Sequence, residues 1–92
     1  MSREADQISE QIAQSYNQVD GTEAQLAALR TQQGLIEAEL VDAKSLLEKG
    51  LAQASRVSSL QREQARLSGE IGNLIAVIAR LRGEVASFDV MV

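Results

Sequence analysis

Apolar residues return along this chain in alternating steps of four and three, in two separate runs. The first run is Ile8, Ile12, Ser15, Val19, Thr22, Leu26, Leu29, Gln33, Ile36, Leu40, Ala43 and Leu47. Its polar members, Ser15, Thr22 and Gln33, all precede Ile36. The second run is Val57, Leu60, Gln64, Leu67, Ile71, Leu74, Ile78, Leu81, Val85, Phe88 and Val92, with Gln64 as its polar member. Steps of this kind keep one narrow stripe of a helix facing a single partner, which is the seam of a coiled coil. They predict helix 1 over about 8–49 and helix 2 over about 55–88, joined by a tip at about 50–54. Residues 1–7 are polar and weakly capped and are expected to fray. Residues 88–92 alternate loosely; fraying and continuation into a longer protein are both consistent with them.

The stretch between the runs organises the rest. In Leu46-Leu47-Glu48-Lys49-Gly50-Leu51-Ala52-Gln53-Ala54-Ser55-Arg56-Val57 the apolar phase changes on both sides of Gly50. Glycine adopts the left-handed conformation that closes a helix C-terminus. Lys49 before it suits the negative helix end, and Leu51 after it can fold back on Leu46 or Leu47. Helix 2 then starts near Gln53 or Ser55, of which Ser55 is the better intrinsic cap. Gly21 and Gly34 interrupt helix 1 without shifting its phase, so one helix is expected. The segment Asp20-Gly21-Thr22-Glu23 is its weakest point.

Folding the chain at Gly50 brings the runs together as an all-α antiparallel two-helix hairpin. Facing residues then include Leu47 and Val57, Ala43 and Leu60, Leu40 and Gln64, and Ile36 and Leu67. Farther from the turn come Gln33 and Ile71, Leu29 and Leu74, Leu26 and Ile78, Thr22 and Leu81, Val19 and Val85, and Ser15 and Phe88. The same rule sets Gly21 opposite Gly83 and Gly34 opposite Gly69, which would allow close approach of the helices there. The arms also differ in charge. Residues 1–50 carry nine acids and four bases, and residues 51–92 carry four acids and five bases. An acidic arm beside a mildly basic one favours the fold, although an exposed pair contributes only about 0.2–1 kcal/mol.

Composition narrows the function. The chain has 92 residues, a net charge of −4, no proline, cysteine, histidine or tryptophan, and one tyrosine and one phenylalanine. That is one small domain at most, suited to a two-helix seam rather than a layered core. A single-seam hairpin buries little, so self-association or neighbours are expected. No run approaches the ~18 apolar residues of a membrane span. The start lacks the apolar core of a signal peptide. Negative net charge disfavours nucleic acid. The serines have no base partner, the glycines form no phosphate loop, and Glu37, Glu39 and Asp42 lie on different helix faces. No catalytic group, cofactor site or metal site is expected. Leu35, Val41, Leu46, Leu51, Ile75 and Val77 lie off the seam. Leu46 and Leu51 stand together at the turn, where an isolated protein gains nothing by exposing them, and so suggest a contact surface.

The tip, Leu46-Leu47-Glu48-Lys49-Gly50-Leu51 followed by Ser55-Arg56-Val57 and Leu60-Gln61-Arg62-Glu63, resembles that of haemolysin-secretion-type (HlyD family) membrane fusion proteins. So do Gln25–Arg30, Ile36–Leu40 and the return stretch Leu67–Leu74. The likeness covers roughly residues 8–88. It implies that the chain is the hairpin of a larger periplasmic adaptor, anchored in the bacterial inner membrane and serving type I protein secretion. It implies a homo-oligomeric, hexameric ring on an ATP-binding-cassette (ABC) transporter, with the tips docked on a TolC-like outer-membrane channel. The contact residues would be Leu46, Lys49, Gly50, Leu51, Gln53, Ser55 and Arg56. Adaptors of the wider superfamily carry arginine, leucine and serine at the tip. Here Leu46 fills the leucine place, while Asp42 and Gln53 replace the other two, with Arg56 and Ser55 nearby. The competing readings are a structural coiled-coil spacer with no channel partner and a hairpin that clamps a client by its tip.

Overall fold

The computed structural model describes residues 3–91 and contains two helices, α1 (Arg3–Glu48) and α2 (Ala54–Met91). Helix α1 begins five residues earlier than the apolar run that predicted it. Residues 3–20 contain no glycine or proline, and Glu4 and Asp6 in the first turn complement the positive end of the helix. Helix α2 likewise runs past Phe88 to Met91, and it opens at Ala54 rather than Ser55. Val92, the last member of the second run, lies outside the described residues. Helix α1 passes through Asp20-Gly21 without a break.

The chain forms two compact units. The first, Ala27–Gly72, contains the turn and the adjoining parts of both helices; the second comprises Met1–Leu26 and Asn73–Val92. Each brings α1 and α2 together around its own apolar core. In the turn unit Leu40, Ala43, Val57 and Leu60 are buried against one another, and Ile36 and Leu47 pack on them. Leu67 is the most enclosed side chain of this unit, with 0% of its surface exposed, and Ile71 is also buried. In the terminal unit Val19, Ile78 and Leu81 form the core, with Leu26 and Val77 packed against it. Ser15 and Val85 are buried there too. Withdrawing a leucine- or valine-sized side chain from water contributes roughly 1.5–3 kcal/mol, so the seam dominates the stability of both units.

Two of the polar seam residues have hydrogen-bond partners. Thr22 donates its hydroxyl to the Gln18 carbonyl at 2.7 Å, and Gln33 Nε2 donates across the turn unit to Ser68 Oγ at 3.3 Å. Gln33 therefore reaches past Ile71, the residue expected opposite it. Val77, expected to lie off the seam, is instead half-buried on the terminal core. A helix stripe wider than the strict four-three ladder explains this, because positions beside the ladder also touch the partner helix. The glycines do not mediate close approach. A β-carbon built at Gly21, Gly34, Gly69 or Gly83 meets no atom within 4 Å. Larger seam residues around them set the helix separation.

Candidate functional site

The turn is built by a specific capping arrangement. Gly50 has φ = 72°, the left-handed value that a side chain resists. The Gly50 N–H donates to the Leu47 carbonyl at 3.0 Å, and the Leu51 N–H donates to the Leu46 carbonyl at 2.8 Å. This pair of bonds is a Schellman motif, which satisfies carbonyls that the end of α1 would otherwise leave open. Lys49 N–H also donates to the Ser45 carbonyl at 3.3 Å. Five residues, 49–53, then separate the helices.

Helix α2 starts on Gln53, whose backbone carbonyl accepts from the Arg56 N–H at 3.1 Å. Ser55, the better capper by residue type, lies inside the first turn, and its hydroxyl donates to Gln53 Oε1 at 3.3 Å. The first turn of α2 holds no acid. Arg56 does not project freely: its Nη2 donates to Glu39 Oε2 on α1 at 3.1 Å. That bridge ties the start of α2 to α1 just behind the turn.

The side chains at the turn divide into two groups. Leu47 faces inward onto the core. Leu46 and Leu51 are 41% and 72% exposed. Lys49, Gly50, Gln53, Ser55 and Arg56 are exposed as well. The structure thus brings the named tip residues onto one turn, with two leucines in water and a lysine between them in sequence. Ala52, which the sequence pattern did not single out, is half-buried among them.

The flanks of the helices are ordinary ion-paired surface. Arg82 pairs with Glu23 across the terminal unit, and Arg80 pairs with Glu84 at 2.9 Å. On α2 Arg66 lies between Glu63 and Glu70 and pairs with both. Its hydrogen bond holds the Glu63 carboxyl below the usual carboxylate range, and its positive charge adds to this. The same carboxylates raise Arg66. A shallow groove in the terminal unit is lined by Tyr16, Val19, Glu23, Arg82, Val85 and Asp89, and it is open to solvent. Among the described residues no group of acids or histidines could hold a metal ion. Among them, too, no helix is long and apolar enough to cross a membrane.

Two helices closed by a glycine-capped turn, each packing on the other through one apolar seam, define an α-helical hairpin. The chain belongs to the AprE long alpha-helical hairpin family, whose model matches residues 1–90, and it is a hairpin domain of the type I secretion membrane fusion protein kind. It is 35% identical over 86 residues to the type I secretion system membrane fusion protein PrsE of Rhizobium meliloti (strain 1021), an alignment covering 94% of this chain. The chain spans 20% of the length of that relative. No solved structure matches it. The family is one of non-catalytic scaffolds, and the chain is not an enzyme.

Proposed function

We propose that this hairpin is the periplasmic arm of a type I secretion adaptor. It would join an inner-membrane ABC transporter to a TolC-like outer-membrane channel, docking through its tip as one copy of a homo-oligomeric ring. The observation that carries this reading is the exposure of Leu46 and Leu51 on a turn whose α1 end is closed by a glycine cap. The Schellman bonds and the Arg56–Glu39 bridge hold the backbone there, so the leucines are presented by a defined surface rather than a loose loop. Exposed apolar groups held in place are what a docking surface needs, because little ordering entropy remains to be lost on binding. Two leucines give a modest contact per copy, and a ring multiplies it.

Leu46→Glu with Leu51→Glu, introduced into the full-length adaptor, tests this. Both side chains are already exposed, so helicity and melting temperature should hold while secretion and channel co-purification are lost. Normal secretion by the double variant would overturn the tip assignment and leave the spacer reading, in which any short loop can replace the turn.

A further inference from the structure

The two units differ in charge as well as in packing. The turn unit carries six acids and six bases, so its net charge is zero. The terminal unit carries seven acids and three bases, and the whole −4 of the chain lies there. Two of its bases are already engaged, Arg80 by Glu84 and Arg82 by Glu23. The open groove of this unit runs between the helices, beside the seam. Its floor is Val19 and Val85, both 6% exposed. One wall is the α1 stripe Tyr16, Asp20 and Glu23, and the other is the α2 stripe Arg82, Ala86 and Asp89. The Arg82–Glu23 pair lies at one end. In the antiparallel register that this pair sets, Asp89 stands level with Tyr16. Asp20 lies one helical turn farther on, about 6 Å along the groove. Tyr16 is 52% exposed. Asp20 and Asp89 are exposed too, and neither pairs with a base among the described residues.

We infer that this groove takes an arginine-bearing segment of a partner polypeptide, with a guanidinium over the Tyr16 ring and Asp20 and Asp89 as its acceptors. The floor and walls select that occupant. An apolar floor suits the methylene stem of a long basic side chain. An exposed aromatic face attracts a cation, and arginine more than lysine, because its planar head also stacks. Free carboxylates accept the fork of N–H donors that arginine presents. Side chains two apart on an extended strand share a face and lie about 7 Å apart, close to the spacing of Asp20 and Asp89 along the groove. An Arg-X-Arg segment therefore meets both. An acidic segment would face three carboxylates and one guanidinium that is already paired. The site lies in the other unit from the turn and does not depend on docking by the tip.

Tyr16 is the only tyrosine and the chain has no tryptophan, so its emission reports on the groove without a label. The 92-residue chain is titrated with the aromatic-free peptide acetyl-Ala-Arg-Ser-Arg-Ala-amide. The emission should change saturably, with backbone amide shifts confined to residues 16–23 and 82–89. Asp20→Asn with Asp89→Asn should weaken binding about three- to tenfold at unchanged helicity, since neither side chain has an ion-pair partner to lose. Tyr16→Leu, followed by the amide shifts, should weaken it about two- to fivefold. The lysine version of the peptide should bind more weakly than the arginine version. Equal binding by the lysine peptide, the same response to acetyl-Ala-Glu-Ser-Glu-Ala-amide, or indifference to the aspartate changes would overturn the assignment. Emission that varies with protein concentration alone and ignores the peptide would give the groove to a second copy and overturn it as well. Leu46→Glu with Leu51→Glu should leave the titration unchanged, so failure here and failure of the tip are read separately.

Discussion

The two units of the molecule use the same seam differently. In the turn unit the fully buried seam is wholly aliphatic, Leu40, Ala43, Val57, Leu60, Leu67 and Ile71, its polar members Gln33 and Gln64 are only half-buried, and the connection is closed by a capped glycine and a cross-helix ion pair. In the terminal unit the seam admits a buried serine, Ser15, and a half-buried Thr22 beside Val19, Ile78 and Leu81. An exposed tyrosine, Tyr16, borders an open groove there. The turn is held from behind by its capping bonds and a cross-helix ion pair, whereas the terminal unit encloses a hydroxyl within its seam.

Substitutions can sharpen or break that contrast. The largest expected effect is Leu67→Ala, because Leu67 is fully enclosed. It should destabilise the hairpin by about 2–5 kcal/mol in denaturant unfolding monitored by circular dichroism. A loss below 1 kcal/mol would mean that the turn-unit seam is not the principal source of stability. Next comes Gly50→Ala, which forces a side chain into the left-handed region and should cost about 1–2 kcal/mol by the same measurement. Ser15→Ala should have a smaller effect, within about 1 kcal/mol, since the site is nearly closed but no enclosed side-chain polar atom among the described residues lacks a partner. A clear loss would show that the serine hydroxyl is needed by the terminal seam.

The smallest effect is that of pH on Glu63. Its carboxyl is held low by Arg66 in the folded chain, so its contribution is present above the ordinary glutamate pKa and disappears as pH falls through the lowered folded value. Thermal unfolding should therefore shift slightly downward on acidification through that range. Glu63→Gln should reduce the shift, and an unchanged shift would assign the acid sensitivity to other carboxylates.

Much of this was legible from residue order. Helix formation follows from the four-three ladder and the absence of proline, and the turn follows from Gly50 with its change of apolar phase. Leu46 and Leu51 read as off the seam from the ladder phase, and both are exposed. Three features were not legible. Val77 reads as surface by strict ladder counting, but the contact stripe of a helix is wider than the ladder. The sequence left Gln53 and Ser55 both open as the start of α2, and Gln53 is used because the geometry after the glycine, rather than side-chain preference, decides where the helix resumes. Pairs of glycines at matching levels suggested close approach, yet the spacing of the helices is decided by the large residues between them.

The account rests on the chain doubling back at Gly50 so that one molecule supplies both sides of each seam. Isotope-filtered nuclear Overhauser measurements on dilute protein test this most directly, using the methyl groups of Leu40, Ala43, Val57 and Leu60. The hairpin predicts strong contacts between Ala43 and Leu60 in uniformly labelled protein and none between labelled and unlabelled chains in a mixture. Contacts that appear only between chains would show arms exchanged through a straightened Gly50, and would contradict the hairpin and the docking tip together.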